Sequence, residues 1–269
     1  MYLVNEISMA QCIDCGLLQM QRHLNNWELR AIYSADYFDR GKYVDDFAGQ
    51  REHRRRLSLM RKAGLAPGSR VLDFGTATGE FANAASEHYE VWGSDINADG
   101  INAAARNYPA LANRLMINQA LRDLDNEFFD ALVLWDVLEH LDDPLGSLTE
   151  ILRLLKAGGI LAVSTPNVGS LIAKLMSTSW HFMTPPEHIA LFDKTTLHRL
   201  FEQLGLKASV YTSLGKWVNA RFLVGKLHRT FPNMLSRSAA ERIVSMLPEK
   251  VPLYIPTGDV QYLLGRKLS

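Results

Sequence analysis

The chain is short of several things that would have decided its class at once. It has two cysteines, Cys12 and Cys15, too few for a disulfide framework, which leaves a reducing, cytoplasmic setting as the default. It has no surplus of either charge, with 29 Lys and Arg against 29 Asp and Glu. Nothing global therefore argues for nucleic acid or an anionic membrane as a partner. No apolar stretch is long enough to span a bilayer, so no stable membrane insertion is expected. The start, Met-Tyr-Leu-Val-Asn-Glu, lacks the basic region and apolar run of a signal peptide. Internal repeats and low-complexity segments are absent.

What is present is ordinary for a globular protein. Hydrophobic residues make up 47% and charged residues 22% of 269 positions, which suits one large domain, or one domain with a small cap. The stretch Arg70 to Glu80, Arg-Val-Leu-Asp-Phe-Gly-Thr-Ala-Thr-Gly-Glu, reads as strand, glycine turn and helix. That is the first unit of a doubly wound nucleotide-binding fold. Its glycines are Gly75 and Gly79, with Asp73 two residues before the first. The Gly-x-Gly-x-x-Gly that seats a dinucleotide pyrophosphate is missing from this turn. An acidic residue inside the turn would repel a pyrophosphate and suit a ligand with a cationic amino-acid end. Tyr89 to Asp95 reads as the second strand. Asp95 falls at its carboxyl end, about 20 residues beyond the first, where a carboxylate accepts hydrogen bonds from both hydroxyls of a ribose. Asn97 then caps a helix.

These residues carry a resemblance. The turn resembles motif I of the class I S-adenosylmethionine-dependent methyltransferases, Asp-x-Gly-x-Gly-x-Gly. Asp73, Gly75 and Gly79 match, and Ala77 stands at the middle glycine, where alanine calls for an ordinary backbone conformation. Phe129-Asp130, Val137-Leu138-Glu139-His140 and Asp143-Pro144 resemble the signature of the ubiquinone-biosynthesis group of that family. So do Leu155-Lys156-x-Gly158-Gly159, with Gly159 read as a left-handed helix cap, Pro185-Pro186-x-His188, and Tyr33-x-x-x-Tyr37-Phe38.

The resemblance implies an α/β fold: a Rossmann-like doubly wound, mostly parallel seven-stranded sheet with an antiparallel last strand and helical cap insertions. It divides the chain into an N-terminal extension, 1–66, and a cofactor-binding domain, 67–269, with insertions at 167–193 and 214–258. It implies S-adenosylmethionine as cofactor, with Asp73, Phe74, Gly75, Thr76, Ala77, Gly79, Asp95, Ile96, Trp135 and Asp136 as candidate binding residues. The acidic residue expected near the adenine amine after the third strand is replaced by Ala120, with Asp123 close but shifted, so that contact stays open. The activity implied is methyl transfer to a small-molecule acceptor, with a hydroxyl favoured over nitrogen or carbon. Positioning two reactants can remove roughly 7–11 kcal/mol of barrier. A histidine base would help an oxygen acceptor. His188 and His140 are the candidates, with His181 third. The rival readings are a cofactor-binding protein without catalysis and a nicotinamide-dependent oxidoreductase.

Three further features are read with less support from the resemblance. Cys12-Ile-Asp-Cys15-Gly16 has the form of a zinc knuckle and resembles the latter half of a zinc ribbon that precedes this domain in some relatives. Structural zinc needs four ligands. Only His23 offers a third, so the expected reading is a turn with free thiols and no metal. No His/carboxylate cluster is visible along the chain either. Arg54-Arg55-Arg56, on a helix expected from about Phe47 to Ala63, reads as a solvated face. Val218, Phe222, Leu223, Leu227 and Phe231 are spaced for a cap helix with a basic opposite face, followed by a second helix over 239–247. A homodimer is left open.

Overall fold

The computed structural model describes residues 2–4, 6–22, 28, 46–221, 224, 228, 236–248 and 252–268. Tyr33, Tyr37, Phe38 and His23 lie outside them, as do Phe222, Leu223, Leu227 and Phe231 of the expected cap helix.

Seven strands form the main sheet: β4 (Arg70–Phe74), β5 (Glu90–Asp95), β6 (Leu115–Ile117), β7 (Phe129–Trp135), β8 (Leu155–Pro166), β10 (Leu206–Asn219) and β11 (Pro252–Lys267). Their order is β10-β11-β8-β7-β4-β5-β6. The pairs β4–β5, β4–β7, β5–β6 and β7–β8 are parallel, and β11 runs antiparallel to both β8 and β10. The expected architecture is therefore the observed one. Chain reversal at β4 sends β5 and β6 to one side and β7 and β8 to the other. A crevice opens at that point, outside the carboxyl ends of the strands, where open α/β sheets bind ligands.

The central strands are apolar without alternation because both faces are covered. Odd and even positions then part into two cores. Val71, Ala131, Val133, Trp135 and Ala162 pack with Leu57 and Met60 of α1 (Asp46–Lys62) and with Phe81, Ala82 and Ala85 of α2 (Glu80–Ser86). Leu72, Leu132, Leu134, Leu161 and Val163 pack with Leu148 and Ile151 of α4 (Pro144–Leu152) and with Leu197, Leu200 and Phe201 of α6 (Lys194–Gln203). Between α2 and α4 lies α3 (Ala98–Asn107), capped by Asn97, whose side chain accepts from Asp99 N–H at 2.8 Å.

A second sheet has the order β1-β2-β3-β9, formed by β1 (Tyr2–Val4), β2 (Ile7–Gln11), β3 (Leu18–Met20) and β9 (Ala190–Leu191). Leu18 pairs with Leu191, so the N-terminal extension and the first insertion share one sheet. Its apolar face joins Met9, Leu18 and Met20 to Trp180, Met183 and Ile189, and to Ala173 of α5 (Leu171–Met176). This core is separate from the two that flank the main sheet.

Three local expectations are corrected. Val218 does not start a helix. It lies in β10 paired with Leu253, because β10 and β11 run on past the main sheet as a two-stranded ribbon. The second helix of that insertion is present as α7 (Arg237–Met246). Gly159 is not the left-handed residue: Gly158 is, at φ 74°, inside the early part of β8. Arg55 and Arg56 do not face solvent. Their side chains are only 14% and 11% exposed, because α1 turns that side toward the sheet.

Candidate active site

The glycine turn is fixed to its neighbouring strand before any ligand arrives. Gly75 and Thr76 N–H both donate to Ser94 O, at 2.8 and 2.9 Å. Thr76 Oγ1 donates to Asp73 Oδ2 at 2.8 Å. Ala77 N–H donates to Asp95 Oδ2 at 2.9 Å, and Asn97 N–H to Asp95 Oδ1 at the same distance. Gly75 has φ +80°, and a Cβ there would come within 2.4 Å of Val137 Cγ2, so this position must be glycine. Ala77 departs from expectation. Its φ is 49°, a left-handed conformation that costs an L-residue roughly 1–2 kcal/mol. The bond to Asp95 holds it there.

Asp73 and Asp95 are both buried, 3% and 8% exposed, at adjacent strand ends. Burial pushes the Asp73 carboxyl up to about 7, against the opposing effects of the Thr76 hydroxyl and the Arg56 guanidinium. Burial also raises Asp95, offset by the N–H groups of Asn97 and Ala77. A buried carboxyl of raised pKa suits a site that receives a cation.

At the end of β7, Trp135 lies over α1 and α2. Its ring meets Phe81 edge-on at 5.6 Å, and the Arg56 guanidinium sits 5.4 Å above it. Asp136 follows with φ 57°. Its N–H donates to both O and Oγ of Ser164, and the Ser164 hydroxyl donates back to its Oδ1 at 2.9 Å. Asp136 Oδ2 accepts from Arg56 Nη2 at 2.6 Å. The arginine run thus contributes to the cleft. Arg55 binds Glu52 and the Gly215 carbonyl, and Tyr262 Oη donates to Glu52.

Among the buried polar atoms of the described residues that lack a hydrogen-bond partner are Trp135 Nε1, Arg56 Nε and Asn118 Oδ1. Each leaves a desolvation cost of about 1–3 kcal/mol unmet. All three lie at the carboxyl edge or against it, which fits a polar ligand in the crevice. Asn118 follows β6, beside the strand that ends in Asp95. The sequence pattern points to an acidic residue after the third strand, and Asn118 presents an amide oxygen there instead. A triple-arginine run reads as solvated surface in sequence, and nothing local marks Arg56 as the side chain that turns inward.

The far wall comes from two loops. Glu139, 2% exposed, accepts from Thr165 Oγ1 at 2.9 Å. The ring of His140 meets that of His188 at 4.8 Å. His140 Nδ1 lies 2.7 Å from Glu187 O, and His188 Nδ1 lies 2.7 Å from Phe182 O. A carbonyl only accepts, so each Nδ1 carries a proton and donates it. His181 instead pairs through Nε2 with buried Asp259 at 3.2 Å. Glu139, His140 and His188 bring ligand atoms within 4.8 Å of one another. The fold thus makes a His/carboxylate cluster that the sequence did not reveal, and its donor set suits a divalent transition metal.

Residues 47–209 match the family described as the methyltransferase domain. The chain belongs to this family. The methyltransferase is 27% identical over 170 residues to a ubiquinone/menaquinone biosynthesis C-methyltransferase of Coxiella burnetii, covering 59% of this chain and 68% of the relative. It is 26% identical over 183 residues to a ubiquinone biosynthesis O-methyltransferase of Aliivibrio fischeri, covering 58% and 76%. Among solved structures, an S-adenosylmethionine-dependent methyltransferase from Thermotoga maritima superposes with a TM-score of 0.59 at 19% identity, over 90% of this chain and 99% of that one. The protein is an S-adenosylmethionine-dependent methyltransferase, and the nicotinamide reading is set aside. The relatives include both C- and O-methyltransferases.

Proposed function

We propose that this methyltransferase methylates a hydroxyl of a small aromatic or apolar molecule bound between the β7 end and the 177–189 loop. The observation that carries the reading is the pairing of His140 and His188, two imidazoles presented by fixed Nδ1 contacts at the edge where the glycine turn also lies.

In this reading Asp95 accepts the ribose hydroxyls, as its two backbone contacts leave carboxylate lone pairs for them. Asn118 Oδ1 takes the adenine amine. Asp73 faces the cofactor's ammonium and Arg56 its carboxylate. Phe74, Gly75, Thr76, Ala77 and Gly79 line the turn, and Ile96, Trp135 and Asp136 complete the wall. Bound S-adenosylmethionine supplies a methyl group already activated on a sulfonium. The protein then has to align the acceptor, keep water out and take one proton. His188 takes the hydroxyl proton at Nε2 as the oxygen forms its new bond, and His140 fixes the ring. The rings of His181 and Phe182 give the loop the largely apolar lining expected of a small-molecule pocket.

The test is methyl transfer from labelled cofactor to a panel of catechols, phenols and amines, with and without chelator. Transfer to hydroxyls that survives chelation supports the reading. Transfer only to carbon or nitrogen overturns the hydroxyl assignment. Loss on chelation, restored by a divalent ion, assigns Glu139, His140 and His188 to a metal rather than a base. Cofactor binding without transfer to any acceptor leaves the non-catalytic reading standing.

A further inference from the structure

An isolated helix with the sequence of α1 would pair Glu52 with Arg56, because a glutamate four residues before an arginine is its neighbour on one helix face. In the fold that pair is left open. Glu52 Oε1 stands 3.9 Å from Arg56 Nε, roughly an ångström beyond hydrogen-bond reach. Both oxygens of the carboxylate are held elsewhere. Tyr262 Oη donates to Oε1, and Arg55 Nη1 donates to Oε2 at 2.9 Å. Arg55 Nη1 also lies 3.5 Å from Tyr262 Oη and 3.0 Å from Gly215 O. A phenol oxygen that accepts from an arginine turns its own proton away from it, here toward Glu52. Burial, with the nearby Glu52 and Asp136 carboxylates, raises the Tyr262 phenol well above its ordinary value, so it remains a donor.

Tyr262 is not free to follow a moving Glu52. It is 1% exposed, and on β11 it pairs with Ser164 of β8 and Thr212 of β10. Opposite residues of an antiparallel pair share a face of the sheet, so Tyr262 and Ser164 stand side by side on the side covered by α1. Each holds one of the two carboxylates that approach Arg56. Ser164 Oγ donates to Asp136 Oδ1 at 2.9 Å, and Tyr262 Oη donates to Glu52. The outcomes differ. Asp136 Oδ2 still reaches Arg56 Nη2 at 2.6 Å, whereas Glu52 stops short. Arg56 Nε is therefore buried without a hydrogen-bond partner among the described residues. The guanidinium thus keeps one donor for an incoming anion. A Glu52 carboxylate that closed on Arg56 would fill that donor and add a second negative charge beside it.

We propose that Tyr262 is a positioning residue for the cofactor's carboxylate: its hydroxyl, with Arg55, holds Glu52 off Arg56 and keeps the Arg56 Nε donor open for that carboxylate. The phenol acts through Glu52 and Arg56 rather than by contact with the cofactor. The role rests on the proposed assignment of Arg56 to the carboxylate.

The experiment is calorimetry on the full chain with two ligands, S-adenosylmethionine and its decarboxylated analogue, which keeps the ammonium and lacks the carboxylate. Tyr262→Phe should weaken S-adenosylmethionine by about tenfold or more and leave the analogue unchanged. Adding Glu52→Gln to Tyr262→Phe should restore most of that affinity, because the released side chain no longer brings an anion to Arg56. Damage to packing alone would weaken both ligands alike, and the second substitution would deepen the loss. A Tyr262→Phe variant that binds both ligands as before, weakens them equally, or is not restored by Glu52→Gln would overturn the proposal. Arg56→Ala separates this role from the carboxylate assignment. If Arg56→Ala weakens S-adenosylmethionine alone while Tyr262→Phe weakens neither ligand, only the role of Tyr262 falls. If Arg56→Ala weakens both ligands equally, the carboxylate assignment falls and the proposal with it.

Discussion

The two halves of the cleft rest on different scaffolds. The proposed cofactor half is built on strand ends: Asp73 is the last residue but one of β4, Asp95 closes β5, and Trp135 closes β7. The proposed acceptor half is built on loops, with His140 in the turn after β7 and His181 and His188 between α5 and β9. Strand ends are placed by the sheet, so the first set is fixed by hydrogen bonds between residues close along the parallel strands. The loop residues are fixed by contacts across long sequence gaps, such as Glu187 O with His140 and Asp259 with His181. Sites on strand ends recur across many chemistries, while loops carry the variation between them.

The strongest way to sharpen this contrast is His188→Ala. Turnover of a hydroxyl acceptor should fall by about 100-fold or more, with cofactor affinity unchanged by calorimetry. A fully active variant would remove the base from the acceptor half. Next comes the scaffold itself. Leu132→Ala, in the fully buried centre of β7, should cost about 2–5 kcal/mol in denaturant unfolding, since a cavity opens between strand and helix. The corresponding cofactor variant, Asp95→Ala, should weaken S-adenosylmethionine by about 1.5–3 kcal/mol and leave the fold intact. Unchanged affinity would mean that Asp95 serves only Ala77 and Asn97.

A pH series separates the halves further. Asp73 has a folded pKa raised to about 7 by burial. For a carboxyl raised on folding, the native state holds the extra proton, so its contribution to stability declines as pH rises from its ordinary value through about 7. A bound ammonium reverses that penalty. Cofactor affinity should therefore fall about tenfold per unit below pH 7 and level off above it, until the cofactor's own amine begins to titrate near pH 8. Asp73→Asn should flatten the profile. The smallest effect is expected at Ala77→Gly. Relief of the left-handed alanine and the added freedom of the unfolded chain nearly cancel, so stability should move by less than about 1 kcal/mol.

Sequence alone determined the succession of the main-sheet strands along the chain and the glycine turn. Those signals are local: an apolar strand, Gly75 where no Cβ fits, Asp95 at a strand end and Asn97 as a cap. It misjudged Arg55 and Arg56, because a charge run gives no sign of which side a helix buries. It misjudged Val218, because a strand that runs past its sheet and a helix with one apolar face both space apolar residues through polar ones.

Only the tertiary structure decided what meets what. The Arg56–Asp136 pair, the His140–His188 contact and the β3–β9 pairing join residues 80, 48 and more than 170 positions apart. Such contacts depend on how loops close over a finished sheet, and no periodicity within a window of a helix turn or a strand pair can encode them.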